Sequence, residues 1–376
     1  MSWDSKKRVV VTGIGLLSCL GNLEETWNAI IAQKTGLRLA QPFLDLPLYP
    51  LGLIREHPSR LKELVEPVVQ DALFNAKLIP PLEECGVVIG SSRGCQGEWE
   101  NSLRNGSIAG WKDMFPHQGS TLAASKIGSH GTVMANMNAC STGIWSILQA
   151  CQLIVEGSCQ QALAGAIDTP ITPLAITGFQ QLGVLANQGY YPFDLNREGL
   201  ALGEGAALLV LESLESALNR GVTPYAEIKG FAANCDAYHM VSPEPKGVQG
   251  IKAIKQCLER SELTPEDIDL IFAHGTGTIL NDEREARIIQ SLFRLDVQVS
   301  SIKGAIGHTL GASSAISVAL AVLSLKRQMV LPSVGINKPA FPLNLLREAR
   351  SAKLQNVLIF SFGFGGQNAI LALERY

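Results

Sequence analysis

Two long apolar segments, residues 143–155 and 311–325, constrain the fold of this 376-residue chain more than any other feature. Both have the length of a helix and few polar residues on any side, which predicts two helices buried all round. A reactive side chain precedes each segment: Cys140 in the first half and His308 in the second. This echo favours two similar halves, each with a central helix, that face each other across one site.

The rest of the chain alternates between short β-branched runs and helical stretches, which predicts an α/β fold in layers. Helices are expected at 250–260 and 282–293. The predicted strands are 162–166, 206–211, 226–231, 270–273, 297–300, 357–361 and 369–373. Because 376 residues exceed one ordinary core, we expect two units, residues 1–225 and 226–376.

Two parts of the first half allow local predictions. Residues 8–12 form a β-branched run that predicts a buried strand, and the glycines after it predict a turn. Asn22 is then the expected N-cap of a helix, with Glu25 at the position from which a carboxylate reaches back. Residues 91–130 are polar and show little periodicity, which predicts a long surface excursion.

Composition argues against several classes of protein. The net charge is −3, without the basic balance that is typical of nucleic-acid binding. No apolar stretch has the length needed to span a bilayer. The eight cysteines lack paired zinc-type spacing, which favours reduced thiols in a cytoplasmic protein.

Cys140 lies in the run Asn-Ala-Cys-Ser-Thr-Gly, directly before the first apolar helix. A thiol is a good nucleophile only as the thiolate, and a helix N-terminus favours that anion. The small neighbours leave room for a thioester carbonyl to approach. A cysteine before a helix is more often structural, but the histidine motifs downstream favour a nucleophile here.

Two histidines complete the predicted chemistry. His274 follows a predicted strand and precedes Gly-Thr-Gly-Thr, and His308 follows Lys303 by five residues. Two neutral imidazoles that donate N–H bonds to a thioester oxygen stabilise the enolate formed when a malonyl group loses carbon dioxide. A zinc site made of Cys140 and the two histidines is not expected, because no two of these ligands are close in sequence.

A glycine-rich segment, residues 361–366, lies between two predicted strands near the C-terminus. Glycines allow unusual dihedral angles and a close approach of the main chain to a substrate. A main-chain N–H of this segment, together with that of Cys140, is therefore expected to form an oxyanion hole.

These motifs together resemble those of the β-ketoacyl-acyl-carrier-protein synthases, elongating type II-like condensing enzymes of the thiolase superfamily. The resemblance runs from Arg8 nearly to the C-terminus. It implies a thiolase-like α/β fold, with five alternating αβαβα layers made of two similar halves. It also implies that Cys140 carries the acyl chain as a thioester, while His274 and His308 bind the malonyl thioester and support its decarboxylation.

The resemblance gives further positions expected functions. The N–H of Phe364 is the implied oxyanion donor, its ring gates the acyl channel, and Gly365 belongs to the same turn. Thr276 and Thr278 are expected to support the site.

Lys303 is implied to organise the charges around the histidines. Elongating enzymes usually carry a glutamate nine residues after the second histidine to pair with this lysine, and this chain has Ser317 there. Glu285 matches a second acidic position of the family and is expected to take over part of the interaction with Lys303.

The implied activity is decarboxylative Claisen condensation of an acyl thioester with malonyl-acyl-carrier protein, in fatty-acid or polyketide-type biosynthesis. Poor matching over residues 40–130 favours a specialised pathway. The substrates travel on the phosphopantetheine of an acyl carrier protein, and no metal or other cofactor is expected. A dimer is expected through residues 133–138, either of two identical chains or with a second ketosynthase-like chain.

The alternative is a non-condensing partner subunit, similar to a chain-length factor, that only shapes a heterodimer. That class normally lacks the cysteine, so Cys140 argues against it, whereas Ser317 leaves room for it. A thiolase is not favoured, because it needs a second catalytic cysteine near the C-terminus and no cysteine follows Cys257.

Overall fold

The computed structural model describes residues 7–107 and 109–376. The strands are β1 Val9–Ser18, β2 Gly21–Asn22, β3 Arg38–Ala40, β4 Tyr49–Leu51, β5 Gly86–Gly90, β6 Val133–Met134, β7 Gln161–Asp168, β8 Gly205–Ser213, β9 Ala226–Cys235, β10 Leu270–Phe272, β11 Gln298–Ser300, β12 Met329–Val330, β13 Asn344–Leu345, β14 Arg350–Ser351, β15 Asn356–Gly363 and β16 Gln367–Arg375. The α-helices are α1 Leu23–Ile31, α2 Leu61–Ala76, α3 Gln96–Arg104, α4 Gln118–Ile127, α5 Thr142–Val155, α6 Pro173–Gln181, α7 Leu214–Asn219, α8 Val248–Arg260, α9 Ile279–Leu292, α10 Lys303–Ile306 and α11 Gly311–Arg327. The strands and helices predicted for the second half are all present.

Two halves with the same strand order make up the main sheet. The first half has the order β6-β5-β7-β8-β1, and the second has β11-β10-β15-β16-β9. In both, the first three strands are parallel and the last two run antiparallel to their neighbours. The halves join where β1 pairs with β9 over Val9–Val11. The two similar segments in the sequence therefore belong to two halves with the same topology, and the prediction of two similar halves is confirmed.

Helices cover both faces of these two sheets and give five alternating layers. Helices α2 and α4 pack on the outer face of the first half, and α8 and α9 pack on the outer face of the second. Helices α5 and α11 lie between the halves, where they contact strands of both. The thiolase-like αβαβα architecture is thus confirmed. The domain boundary near residue 225, between α7 and β9, stays a prediction.

The two central helices differ in burial. Every residue of α11 from Gly311 to Leu325 is buried, as predicted. Helix α5 buries most of its surface, but Trp145 and Gln149 are only half-buried, so the prediction of burial on all sides is wrong for α5. The helices meet closely at Gly143, where a Cβ atom would lie 2.4 Å from the main-chain nitrogen of Ala315. Glycine is therefore required at this contact.

The N-terminal prediction needs a correction. The strand does not end before the glycines but continues as β1 to Ser18. A Cβ atom at Gly15 would lie 2.0 Å from the carbonyl oxygen of Val68, so glycine lets α2 pack directly on the strand instead of making a turn. The predicted cap of α1 is confirmed, because Asn22 and Glu25 form a reciprocal capping box.

Residues 91–130 are also more ordered than expected. They include α3, a 3₁₀ turn at Trp111–Met114 and α4. Helix α4 buries Ala123 and Ile127 against β5 and α2, so part of the predicted surface excursion belongs to the core. In the parts of the chain described by the structure, no helix is long and apolar enough to cross a membrane.

Candidate active site

Cys140 lies in a 3₁₀ turn, Ala139–Ser141, immediately before α5. The turn is tied to β15 of the other half: Ser361 Oγ donates to the Cys140 carbonyl oxygen at 3.1 Å, and Ser141 Oγ donates to the Ser361 carbonyl oxygen at 3.2 Å. Ala139 has a φ of 48°, a left-handed conformation that is uncommon for a residue other than glycine. The cysteine is thus held by contacts from both halves.

Cys140, His274 and His308 converge although they are far apart in sequence. One potential ligand atom of each lies within 4.8 Å of the other two. The imidazole rings of His274 and His308 are 5.4 Å apart, edge to face. All three side chains line one cavity of about 280 Å³. The structure therefore brings the predicted nucleophile and both predicted histidines to a common point.

Hydrogen bonds determine the proton position on His308. The main-chain N–H of Leu310 donates to His308 Nδ1 at 3.1 Å, and Ser313 Oγ lies 2.9 Å from the same nitrogen. Because Nδ1 accepts a hydrogen bond, the neutral ring carries its proton on Nε2. His308 therefore has an N–H donor available at its second ring nitrogen.

His274 is arranged in the same way by a different partner. The Lys303 ammonium donates to the main-chain carbonyl oxygen of His274 and lies 3.5 Å from its Nδ1. An ammonium group has no acceptor, so Nδ1 accepts and the proton is again on Nε2. Burial, and then the charge of Lys303, hold the pKa of both histidines well below the usual value. Both rings are therefore neutral near pH 7, as the predicted chemistry requires.

Lys303 and Glu285 are both buried behind His274. Burial lowers the pKa of Lys303 to about 8, although Glu285 opposes that shift, and burial raises the pKa of Glu285 to about 7. Glu285 accepts the main-chain N–H groups of His274 at 2.6 Å and Gly275 at 2.8 Å. Among the described residues, Lys303 and Glu285 form no ion pair within 4.0 Å, and the hydrogen bonds of Lys303 go to His274 rather than to Ser317. Glu285 thus fixes the main chain at His274 and Gly275. It acts on Lys303 only through its electrostatic field.

Burial favours the thiol form of Cys140 over the thiolate. Burial raises its pKa to about 11, whereas Lys303, the main-chain N–H of Phe364 and Arg93 act in the opposite direction. The sequence argument relied on the helix N-terminus to give a thiolate, and in this structure burial outweighs the favourable charges. Acylation of Cys140 therefore includes transfer of the thiol proton.

Phe364 and Gly365 lie in a 3₁₀ turn after β15. The Phe364 ring lines the cavity and is 6.0 Å from the ring of Phe179. The N–H of Gly365 donates to the Met240 carbonyl oxygen at 2.7 Å, so it is not available to a substrate. Of these two predicted residues, only Phe364 places a main-chain N–H beside the sulfur.

Thr276 and Thr278 also line the cavity, and their hydroxyl oxygens are 2.8 Å apart. Glu98 and Trp99 are not among the residues that line this cavity. The Trp99 indole instead donates to the Met114 carbonyl oxygen at 2.8 Å.

Two buried carboxylates near the site were not predicted. Asp282 accepts the N–H groups of Phe193 at 2.7 Å and Gly277 at 3.2 Å, and burial raises its pKa to about 6. Asp168 accepts the Gly311 N–H at 2.7 Å at the start of α11. The sequence signal for Asp168 is an acidic residue directly after an apolar strand. The signal for Asp282 is an acidic residue in the first turn of a helix beside a glycine-rich loop.

The donor set of one thiol and two imidazoles is chemically suited to zinc. A metal-bound imidazole nitrogen must be free of its proton, yet the Nδ1 atoms of His274 and His308 both lie next to donors, which leaves the proton on Nε2. These residues therefore do not fit a metal ion. The absence of a metal stays a prediction, and this hydrogen bonding is a better reason for it than the spacing in sequence.

Comparisons with known proteins agree with this geometry. Residues 57–217 match the beta-ketoacyl synthase N-terminal domain, and residues 225–337 match the beta-ketoacyl synthase C-terminal domain. The 3-oxoacyl-(acyl-carrier-protein) synthase 2 of Coxiella burnetii is 32% identical over 98% of this chain and 99% of that protein. The protein of the same name from Synechocystis is 32% identical over 99% of each chain.

Solved structures show the same relationship. A beta-ketoacyl synthase from Burkholderia phymatum matches with a TM-score of 0.88 and 29% identity, over 98% of this chain and 100% of that one. A type II polyketide-synthase acyl-carrier protein in complex with its ketosynthase gives a TM-score of 0.92 and 26% identity, over 98% and 100%. The ishigamide ketosynthase/chain length factor gives 0.87 and 28%, over 98% and 99%. The chain that holds Cys140 between two neutral histidines therefore belongs to the beta-ketoacyl synthase family.

Proposed function

We propose that this condensing enzyme joins an acyl group, held on Cys140, to the two-carbon unit of a malonyl group carried by an acyl carrier protein. The observation that carries the proposal is the convergence of one thiol and two neutral imidazoles within 4.8 Å. The product is a β-ketoacyl thioester, as in fatty-acid or polyketide-type biosynthesis. Both substrates arrive on phosphopantetheine, and no metal or other cofactor takes part.

The first step is acyl transfer to Cys140. Its sulfur attacks the thioester carbonyl, a new carbon–sulfur bond forms, and the bond to the phosphopantetheine sulfur breaks. The thiol proton leaves with the phosphopantetheine thiol. The N–H groups of Phe364 and Cys140 stabilise the tetrahedral oxyanion, and the Phe364 ring borders the acyl channel.

The second step is decarboxylation of the malonyl thioester. The bond to the carboxylate breaks, carbon dioxide leaves, and the electron pair forms an enolate whose oxygen accepts the Nε2–H groups of His274 and His308. The enolate carbon then attacks the acyl carbonyl on Cys140. Collapse of the tetrahedral intermediate releases the β-ketoacyl thioester and the cysteine thiolate, which takes up a proton from water to restore the thiol.

The remaining residues position these groups. Lys303 keeps His274 in the tautomer that donates from Nε2, and burial, together with the charge of Lys303, keeps both histidines neutral. Glu285 fixes the main chain of His274. Thr276 and Thr278 lie on the cavity wall, where their hydroxyl groups are available to the phosphopantetheine arm.

The proposed partners are an acyl carrier protein and a second copy of this chain in a dimer. Strand β6 is the last strand of the main sheet, and Val133 in it and Met137 beyond it are 42% and 56% exposed. Exposed apolar side chains at the open edge of a sheet favour an interface there. We also propose a cytoplasmic location, supported by eight cysteines that are all free.

The test is intact mass spectrometry of the protein after incubation with an acyl-carrier protein. We expect a mass increase equal to the acyl group in the wild-type protein and none in Cys140→Ala, which removes only the sulfur. No adduct with any acyl carrier, from a folded wild-type protein, would contradict an acyl-transfer function and favour a non-condensing partner subunit.

A further inference from the structure

Arg93 follows β5 and is held at the inner end of the central helices. Its N–H donates to Asp168 Oδ1 at 3.1 Å, and the N–H of Ser92 donates to Oδ2 at 3.0 Å. The same carboxylate accepts the Gly311 N–H at the start of α11. The main chain of Arg93 is therefore fixed relative to the helix that follows His308.

The guanidinium of Arg93 stacks on Phe179, with Cζ 5.4 Å from the ring centroid. Its Nε is buried without a hydrogen-bond partner, and within residues 7–107 and 109–376 the guanidinium forms no ion pair. Arg284, the other arginine near the site, is ion-paired with Asp236 at 3.1 Å. A buried guanidinium nitrogen without a partner is rare in folded proteins, so this one is suited to a ligand that supplies an acceptor.

Arg93 is connected to the site by its charge and by one aromatic contact. Its charge favours the thiolate of Cys140. The ring it stacks on, Phe179, lines the cavity that contains Cys140 and is 6.0 Å from the Phe364 ring. Contacts thus connect Phe364, the proposed gate, through Phe179 to the unpaired guanidinium of Arg93, which is not itself among the residues that line the cavity.

We propose that Arg93 determines acyl specificity, and that the acyl group carried by Cys140 ends in a carboxylate. A carboxylate matches the planar fork of a guanidinium with two parallel N–H···O bonds, which an alkyl chain cannot form. The inference rests on the proposed function, because it requires that Cys140 is acylated and that the acyl chain passes Phe364.

The test compares two thioesters of N-acetylcysteamine, one of octanoic acid and one of octanedioic acid, the same chain ending in a carboxylate. The rate of acylation of Cys140 is followed by intact mass. Because any effect of Arg93 on the thiol is common to both substrates, the ratio of the two rates isolates recognition of the carboxylate. We expect the wild-type protein to prefer the carboxylate substrate.

Arg93→Leu is expected to lower that ratio by about 10- to 100-fold, the range of a charge-assisted hydrogen bond. Arg93→Lys keeps the charge and loses the fork, so an intermediate ratio is expected. Arg347→Leu makes the same change at an exposed arginine and is expected to leave the ratio unchanged.

Three results would overturn the inference. The first is that the wild-type protein shows no preference for the carboxylate substrate, a result that does not depend on the folding of any variant. Both rates fall equally in Arg93→Leu, which assigns Arg93 to the thiol alone. The octanoyl rate rises while the carboxylate rate is unchanged, which makes Arg93 a steric barrier. Absence of both adducts in the wild-type protein is distinct from these and contradicts the proposed function itself.

Discussion

The segments that lead into the two central helices share a backbone device but differ in their polar surroundings. A residue other than glycine has a positive φ near each reactive side chain: Ala139 directly before Cys140, and Leu310 two residues after His308. In the turn that holds Cys140, hydroxyl groups donate hydrogen bonds to main-chain carbonyl oxygens. The histidine side has a buried lysine and a buried glutamate.

This difference shows that neither half is a site alone. The two groups that most favour the Cys140 thiolate, Lys303 and the Phe364 N–H, both belong to the second half. The first half supplies the nucleophile, and the second half supplies the largest favourable effects on its thiolate. We therefore expect changes on the two sides to affect different steps of the reaction.

The largest separation is expected for Cys140→Gln. The glutamine amide imitates the acyl thioester, so condensation should be abolished while the second half still decarboxylates malonyl thioesters. Release of carbon dioxide from malonyl-acyl-carrier protein, measured with and without an acyl donor, checks this. Loss of carbon dioxide release in a folded Gln variant would contradict the proposed enolate stabilisation by the histidines.

The histidines provide the reverse experiment. Replacing His274 or His308 with Ala removes one N–H donor from the enolate oxygen, which is expected to slow decarboxylation by about 100- to 1000-fold. Acylation of Cys140, followed by intact mass, should fall much less, because its oxyanion lies at Phe364. Equal losses in both steps, in both variants, would show that the two halves do not divide the reaction as proposed.

Much of this arrangement was predictable from sequence because reactive residues at the ends of apolar elements mark where a fold exposes them. Cys140, His274 and His308 each follow or precede such an element, and the apolar runs identify the central helices. The layers follow from the same alternation. Local periodicity therefore indicated α/β layers and the two central helices, whereas the five-layer order and the functions of the three side chains came from the resemblance to the synthase family.

What was missed depends on contacts between distant segments. The glycines of β1 were predicted to form a turn because their sequence does not show that α2 packs on them. The thiol of Cys140 was expected to be a thiolate because burial cannot be read from its motif. Asp282 was missed because it accepts main-chain N–H groups from a loop far away in the chain.

The smallest expected effects concern two neighbouring serines of α11, Ser313 and Ser314, which have different hydrogen-bond partners. Ser313 Oγ lies 2.9 Å from His308 Nδ1, whereas Ser314 Oγ accepts the N–H of Ile144 at 3.1 Å on the other central helix. Ser313→Ala removes one support from the imidazole but leaves the Leu310 N–H bond that sets its tautomer, so decarboxylation should fall by about 3- to 10-fold.

Ser314→Ala makes the same change one residue later and serves as the matched control. It removes the only side-chain acceptor found for the Ile144 N–H in the described chain, at the first turn of α5, so the free energy of unfolding should fall by about 1 kcal/mol. The decarboxylation rate should change by less than about twofold, because no donor to the enolate is disturbed. Measuring the rate and a denaturant midpoint for both variants gives a crossed result, in which Ser313 affects chemistry and Ser314 affects stability. If Ser314→Ala slowed decarboxylation as much as Ser313→Ala, the contact between the central helices would itself position His308, and the two halves would be coupled more tightly than their hydrogen bonds indicate.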